Sequence, residues 1–250
     1  MNKNQSEYIY GIHAIKALLQ INPAKITTIY LARQKSEPNL RTILQIAHEH
    51  KISVISSSQR DLDVLLSDTN HQGIIAQAKS AGVYDESELE ILLDNLEDSP
   101  FLLILDSVQD PHNLGACLRT ANAAGVHAVI VPKDKAVGIT PAVRKVACGA
   151  AETTPFFAVT NLARTLDMLK KRGIWLFGAD AEAKKTIYQV DLCGSLGIVL
   201  GAEGFGLRRL TREKCDFLIS IPLRGTVTSL NVSVATGICL FEAVRRKIDN

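Results

Sequence analysis

The sequence predicts an α/β protein in two units, a small one at the N-terminus and a larger one built on a parallel sheet. Three observations carry this expectation. Apolar runs of strand length alternate with helical patterns along most of the chain. The runs of the second part, such as 101–105, lack period-two alternation, as strands buried on both faces do. A strip dense in acids separates the two parts of the 250 residues.

In chain order, the first part reads as a strand at 8–10, a helix at 12–20, a strand at 26–31, a helix at 40–50, a strand at 52–55, a helix at 61–66 and a strand at 73–79. Pro23 and Pro38 fall between these elements, where a missing N–H does least harm. Residues 81–98 are expected as an acidic linker, although Leu89, Leu92, Leu93 and Leu96 have the spacing of a short amphipathic helix. The second part, 99–250, opens with a strand at 101–105, then a helix at 114–124, a strand at 128–131 and helices at 141–147 and 162–172. Strands at 174–177 and 196–200, a helix at 207–213, a strand at 217–221 and a last helix at 231–247 follow. The expected domains are therefore 1–80 and 99–250.

The composition, 46% apolar and 22% charged, excludes collagenous, disordered and disulfide-stapled classes. The net charge of +2 conceals two basic blocks, +3 over 1–80 and +6 over 101–250, around a strip at 81–100 with seven acids and no base. That pattern permits an acidic polymer as partner. No apolar run is long enough to span a bilayer and Met1–Glu7 leads into no signal-like segment, so a cytoplasmic protein is expected. The five cysteines lack a C-x-x-C pair and the histidines do not cluster, so buried thiols and no metal are expected.

In parallel sheets ligands bind beyond the carboxyl ends of the strands, which directs attention to the residues just after them. After the first strand of the second part, Asp110-Pro111 makes a turn, Asn113 is placed to cap the next helix, and Arg119 lies inside it, its side chain free to run back over Gly115 and Ala116. A surface arginine paired with an acid is the plainer alternative. After the strand at 196–200 comes Gly201-Ala-Glu203-Gly204-Phe-Gly206, a turn that lets backbone approach a ligand. Leu207-Arg208 stands where a P-loop needs Lys and Ser or Thr, and the dinucleotide fingerprint G-x-G-x-x-G is absent. Glu203 could equally favour the start of the next helix. The last strand leads through Ile221-Pro222 into a polar helix entrance, Thr228-Ser229-Leu230-Asn231. Three polar turns at neighbouring strand ends favour a pocket over three unrelated caps.

Taken together, Asn113-Leu-Gly115 through Arg119, Leu200-Gly-Ala-Glu203-Gly204, and Ile221-Pro222 with Ser229-Leu-Asn231-Val-Ser-Val-Ala resemble the three motifs of the SpoU (TrmH-type) RNA ribose methyltransferases of the SPOUT superfamily. Tyr10-Gly11-Ile-His13-Ala and His71-Gln72-Gly73 resemble, more loosely, that family's small N-terminal RNA-binding domain. Val146–Glu152 and Leu210-Thr-Arg-Glu look most like the bacterial members that methylate a guanosine 2′-oxygen in the peptidyl-transferase region of 23S rRNA. The resemblance implies a catalytic domain with a deep trefoil knot, S-adenosylmethionine as cofactor and a homodimer with RNA as partner. It implies cofactor contacts at Gly178, Gly201, Ile221 and Leu230, and catalytic roles for Asn113, Arg119, Glu203, Ser229 and Asn231. A guanidinium, with a pKa above about 12, keeps its proton, so Arg119 is expected to stabilise the developing alkoxide while a substrate phosphate oxygen, or Glu203, takes the proton. Arg208, Arg209 and Arg212 are candidate phosphate contacts, or a solvated helix face. A tRNA target and a non-catalytic RNA-binding role remain alternatives.

Overall fold

A computed structural model describes residues 6–21, 23–32, 38–66, 71–79, 83–202, 204 and 206–249. The chain forms two compact units, Met1–Gly82 with Pro141–Thr153, and Val83–Thr140 with Thr154–Asn250.

The first unit contains β1 (Ser6–Tyr10), α1 (Ile12–Ile21), β2 (Ile26–Ala32), α2 (Pro38–Glu49), β3 (Ser53–Ser57), α3 (Gln59–Leu65) and β4 (Ile74–Lys79). Its sheet has the order β1-β4-β2-β3, with β4 antiparallel to both neighbours and β2 parallel to β3. The apolar stripes Ile12, Ile15, Leu18 and Leu19 of α1 and Leu40, Ile43 and Ala47 of α2 share one core with Ile9, Ile29, Ile74 and Ala76. Leu62 of α3 packs with Ile75 and Tyr30 in a second, smaller cluster. The two segments singled out in the sequence meet here. Gln72 Oε1 accepts from the Ile12 N–H (3.3 Å), satisfying a donor at the start of α1. His71 Nδ1 accepts from the Gly73 N–H, so its Nε2–H donates to Asp63 Oδ1 at 2.9 Å.

The second unit begins with α4 (Glu86–Asp94) and continues through β5 (Phe101–Asp106), α5 (Pro111–Ala123) and β6 (Ala128–Pro132). The chain then contributes α6 (Pro141–Ala147) and α7 (Ala150–Thr153) to the first unit. It returns through β7 (Phe156–Val159), α8 (Leu162–Lys171), β8 (Trp175–Ala179), β9 (Lys185–Thr186), β10 (Leu196–Gly201), α9 (Arg209–Lys214), β11 (Phe217–Ser220) and α10 (Val232–Asp249). Every pairing in the sheet β7-β6-β5-β10-β8-β11-β9 is parallel. β5, β6 and the first five residues of β10 are buried throughout, which accounts for their unbroken apolar runs.

Three expectations need correction. Residues 86–94, within the expected linker, form α4, started by a capping box between Asp85 and Glu88. Its Leu89 and Leu93 are buried with Leu102, Ile130, Phe157 and Leu166. The helix at 141–147 belongs to the first unit, where Tyr10 donates to the Pro141 carbonyl and Lys25 to that of Glu152. Among the cysteines only Cys117 and Cys239 are buried, and Cys148 is exposed.

Candidate functional site

The sheet order reverses direction between β5 and β10, and the crevice beyond such a switch point is where an α/β sheet binds ligands. Two clefts open there. One, of about 490 Å³, is lined by the turn after β5 together with Lys135, Ala202, Gly206, Arg208 and Val232. The other, of about 550 Å³, lies over the ends of β8, β10 and β11. Ala202, Gly206 and Val232 line both.

Side chains organise the turn after β5. Asp106 ends an apolar strand yet is fully buried, because it accepts from the Arg208 backbone N–H at 3.2 Å and from Arg208 Nε at 2.6 Å. A buried carboxylate with these partners fastens the start of α9 to the end of β5. Ser107 follows with φ +69°, a left-handed conformation uncommon outside glycine. The N-cap of α5 is Asp110, whose carboxylate accepts from the N–H groups of His112 and Asn113, with Pro111 in the first helical position. Asn113 is therefore not the cap. It sits inside the first turn, buried, lining the smaller cleft, and its Oδ1 accepts from Asn231 Nδ2 at 2.9 Å. Asn231 Oδ1 in turn accepts from the Ser233 N–H and hydroxyl, so the entrance of α10 is tied to that of α5.

Backbone organises the turn after β10. A Cβ on Gly201 would lie 2.0 Å from the Gly206 carbonyl, so only glycine fits. Gly206 donates back to the Ala202 carbonyl, and Gly204 and Gly206 adopt φ +79° and +64°. The larger cleft is closed by Ile221, Leu223 and Thr228–Leu230, with Asp180 and Glu182 from the segment after β8 at its border. Burial acts to raise the Asp180 pKa, but the Arg212 hydrogen bond and charge and the Glu182 N–H outweigh it and hold the carboxyl below its ordinary value.

Of the residues expected from the sequence, Gly201, Ile221, Ser229 and Leu230 line the larger cleft together. Asn113 and Asn231 meet at the smaller one. Gly178 is buried behind the larger cleft, where a Cβ would meet Cys215 Sγ at 2.7 Å, and its neighbour Ala179 takes the lining position. Arg119 is exposed on α5 and lines neither cleft. Glu203 lies outside the described residues. Arg208, Arg209 and Arg212, candidates for phosphate contact, each meet a carboxylate of their own unit: Asp106, Glu213 and Asp180. Asp106 and Asp180 lie outside the motif residues, and an acid directly after an apolar strand is the sequence signal that finds both.

Comparison with known proteins fits this geometry. Residues 100–241 match the model of the SpoU rRNA Methylase family, and residues 8–83 match that of the RNA 2'-O ribose methyltransferase substrate binding domain. A 23S rRNA (guanosine-2'-O-)-methyltransferase RlmB from Pseudomonas putida is 55% identical over 244 residues, covering 98% of each chain. The enzyme of the same name from Escherichia coli K12 is 52% identical over 97% of this chain and 99% of its own. In fold, the SpoU methyltransferase AviRb from Streptomyces viridochromogenes, solved with the cofactor AdoMet, superposes with a TM-score of 0.80 at 22% identity over 98% of this chain and 92% of its own. On the family match and on relatives more than half identical along nearly their whole length, this chain belongs to the SpoU rRNA methylase family.

Proposed function

We propose that the chain transfers the methyl group of S-adenosylmethionine to the ribose 2′-hydroxyl of a guanosine in the peptidyl-transferase region of 23S rRNA. The observation that carries the reading is the pair of clefts meeting at Ala202, Gly206 and Val232, one suited to a cofactor and one lined by Asn113, which Asn231 holds in place. The residues of the larger cleft fit the cofactor. Leu200, Ile219, Ile221 and Leu230 offer apolar walls to a purine, and the bare backbone at Gly201 and Gly204 offers amide groups to its edge. Asp180 and Glu182, against Arg212 as the one cation among the lining residues, leave a net negative border that suits a ligand carrying positive charge. When bound, S-adenosylmethionine supplies a methyl carbon activated by a cationic sulfur.

The remaining work falls to the protein, and it is positioning and charge. Asn113, its amide fixed by Asn231, orients the ribose hydroxyl at the junction of the clefts. Ser229 and Glu203 shape the pocket, and Val232 keeps water from the junction. Arg119 stabilises the alkoxide while a substrate phosphate oxygen, or Glu203, takes the proton. Since Arg119 lines neither cleft of its own chain, the reading includes a homodimer in which a second copy brings it to the junction. Val234, Phe241 and Ile248, exposed on α10 at intervals of seven residues, support that contact. The reading also carries the family's trefoil knot at the C-terminal segment and a cytoplasmic site of action. No described helix is long and apolar enough to cross a membrane.

Radiolabelled S-adenosylmethionine incubated with the full chain and unmodified 23S rRNA tests the proposal, with mapping of the methylated position. Incorporation at a single guanosine 2′-oxygen is expected. Calorimetry that detects no S-adenosylmethionine binding, with or without RNA, would overturn it, and transfer to tRNA alone would overturn the target.

A further inference from the structure

Arg208, Arg209 and Arg212, the cations expected to contact phosphate, are already occupied by carboxylates, which leaves open what meets the RNA backbone beside the reacting ribose. A third cleft, of about 490 Å³, lies next to the asparagine cleft at the ends of β6 and β7 and the start of α8. The two share Lys135 and Arg208. Arg208 is held by the buried Asp106, and Arg209, which also lines the third cleft, pairs with Glu213. Asp134 is the acid among the lining residues. Lys135, by contrast, is exposed and makes no ion pair among the described residues.

Its backbone is unusual as well. Lys135 adopts φ +63°, and with Ser107 it is one of two non-glycine residues of left-handed conformation lining the same cleft. Glycine or asparagine fills such a position with less strain, so a lysine there points to a use for its side chain. The segment is also anchored at both ends: the Lys133 N–H donates to the Val159 carbonyl at 2.7 Å and the Val137 N–H to the Val108 carbonyl at 3.0 Å. Lys135 is thus presented from a fixed turn, with three ammonium donors, between two clefts.

We infer that Lys135 binds an RNA phosphate adjacent to the methylated nucleotide, so that the substrate backbone runs from the asparagine cleft across Lys135 into the cleft at the start of α8. This rests on the RNA reading of the site and adds to it a specific contact. Phosphate contacts of this kind fix register, and each releases counterions. Arg208 and Arg209, already neutralised, contribute less to that release.

The test measures the affinity of the full chain for an unmodified 23S rRNA fragment across a series of salt concentrations, for wild type, Lys135→Gly and Lys135→Arg. Glycine relieves the left-handed strain, so the fold is retained, and calorimetry with S-adenosylmethionine checks this. Lys135→Gly is expected to weaken RNA binding about tenfold and to lower the slope of log affinity against log salt by about 1. Lys135→Arg is expected to restore both while cofactor affinity stays level. Wild-type affinity and slope in Lys135→Gly would overturn the inference and leave the functional reading intact. Wild-type protein that binds no rRNA at all would overturn both.

Discussion

The turn after β5 and the turn after β10 face each other across the switch point, yet they are built in opposite ways. The first depends on side chains that are present: Asp106 on Arg208, Asp110 on the start of α5, Asn113 on Asn231. The second depends on side chains that are absent, because Gly201 and Gly206 cross within van der Waals contact. A side-chain turn loses its interactions one at a time, whereas a backbone turn admits no partial loss. The two should therefore answer differently to substitution.

The largest expected effect tests the backbone turn. Gly201→Ala places a methyl group inside the Gly206 carbonyl, and a loss of about 3 kcal/mol in denaturant unfolding is expected, with cofactor binding abolished in calorimetry. A variant that unfolds and binds like wild type would remove the contrast. In the other turn, Asp106→Ala deprives the half-exposed Arg208 of its buried partner, and about 2 kcal/mol of destabilisation is expected, with S-adenosylmethionine binding weakened but measurable. Next, Asn113→Ala and Asn231→Ala should each cost about 1 kcal/mol of stability but lower single-turnover methyl transfer about a hundredfold. If the pair acts as one unit, the double variant is scarcely slower than either single one.

The smallest effect concerns the segment after β8. Because the Asp180 pKa is lowered in the fold, its ionised form contributes stability above the ordinary carboxylate value, and that contribution is lost as pH falls through the lowered one. Arg212→Ala removes the hydrogen bond that opposes burial, so the Asp180 titration should move to higher pH in a carbon-detected NMR series. An unmoved titration would mean that Arg212 does not set it.

Much of this arrangement could be read from residues alone, for reasons that differ along the chain. β5, β6 and β10 were visible because burial on two faces leaves unbroken apolar runs. The glycine turn was visible because crossing backbones exclude every other residue. β7 is not legible in the sequence, since four residues after Pro155 are too few to show a period. α4 reads as linker because its four acids outnumber Leu89 and Leu93, the two buried leucines that anchor it. Asn113 and Asp110 are both good caps by type, and only the position of Pro111 decides between them. Arg208, Arg209 and Arg212 looked like phosphate ligands because their carboxylates are partly remote in sequence: Asp106 lies 102 residues away and Asp180 32.

The membership of Pro141–Thr153 in the first unit has a consequence for modularity. A substrate-binding module encoded as one continuous stretch can be exchanged between relatives by a single crossover near its end. Here the module is encoded in two pieces, with α4, β5, α5 and β6 between them. A chimera that swaps only residues 1–82 would set a foreign surface against the native α6 and α7, where Tyr10 and Lys25 now find the carbonyls of Pro141 and Glu152. Exchanging this unit between members of the family therefore means moving both pieces, and the second piece lies inside the gene segment of the parallel sheet.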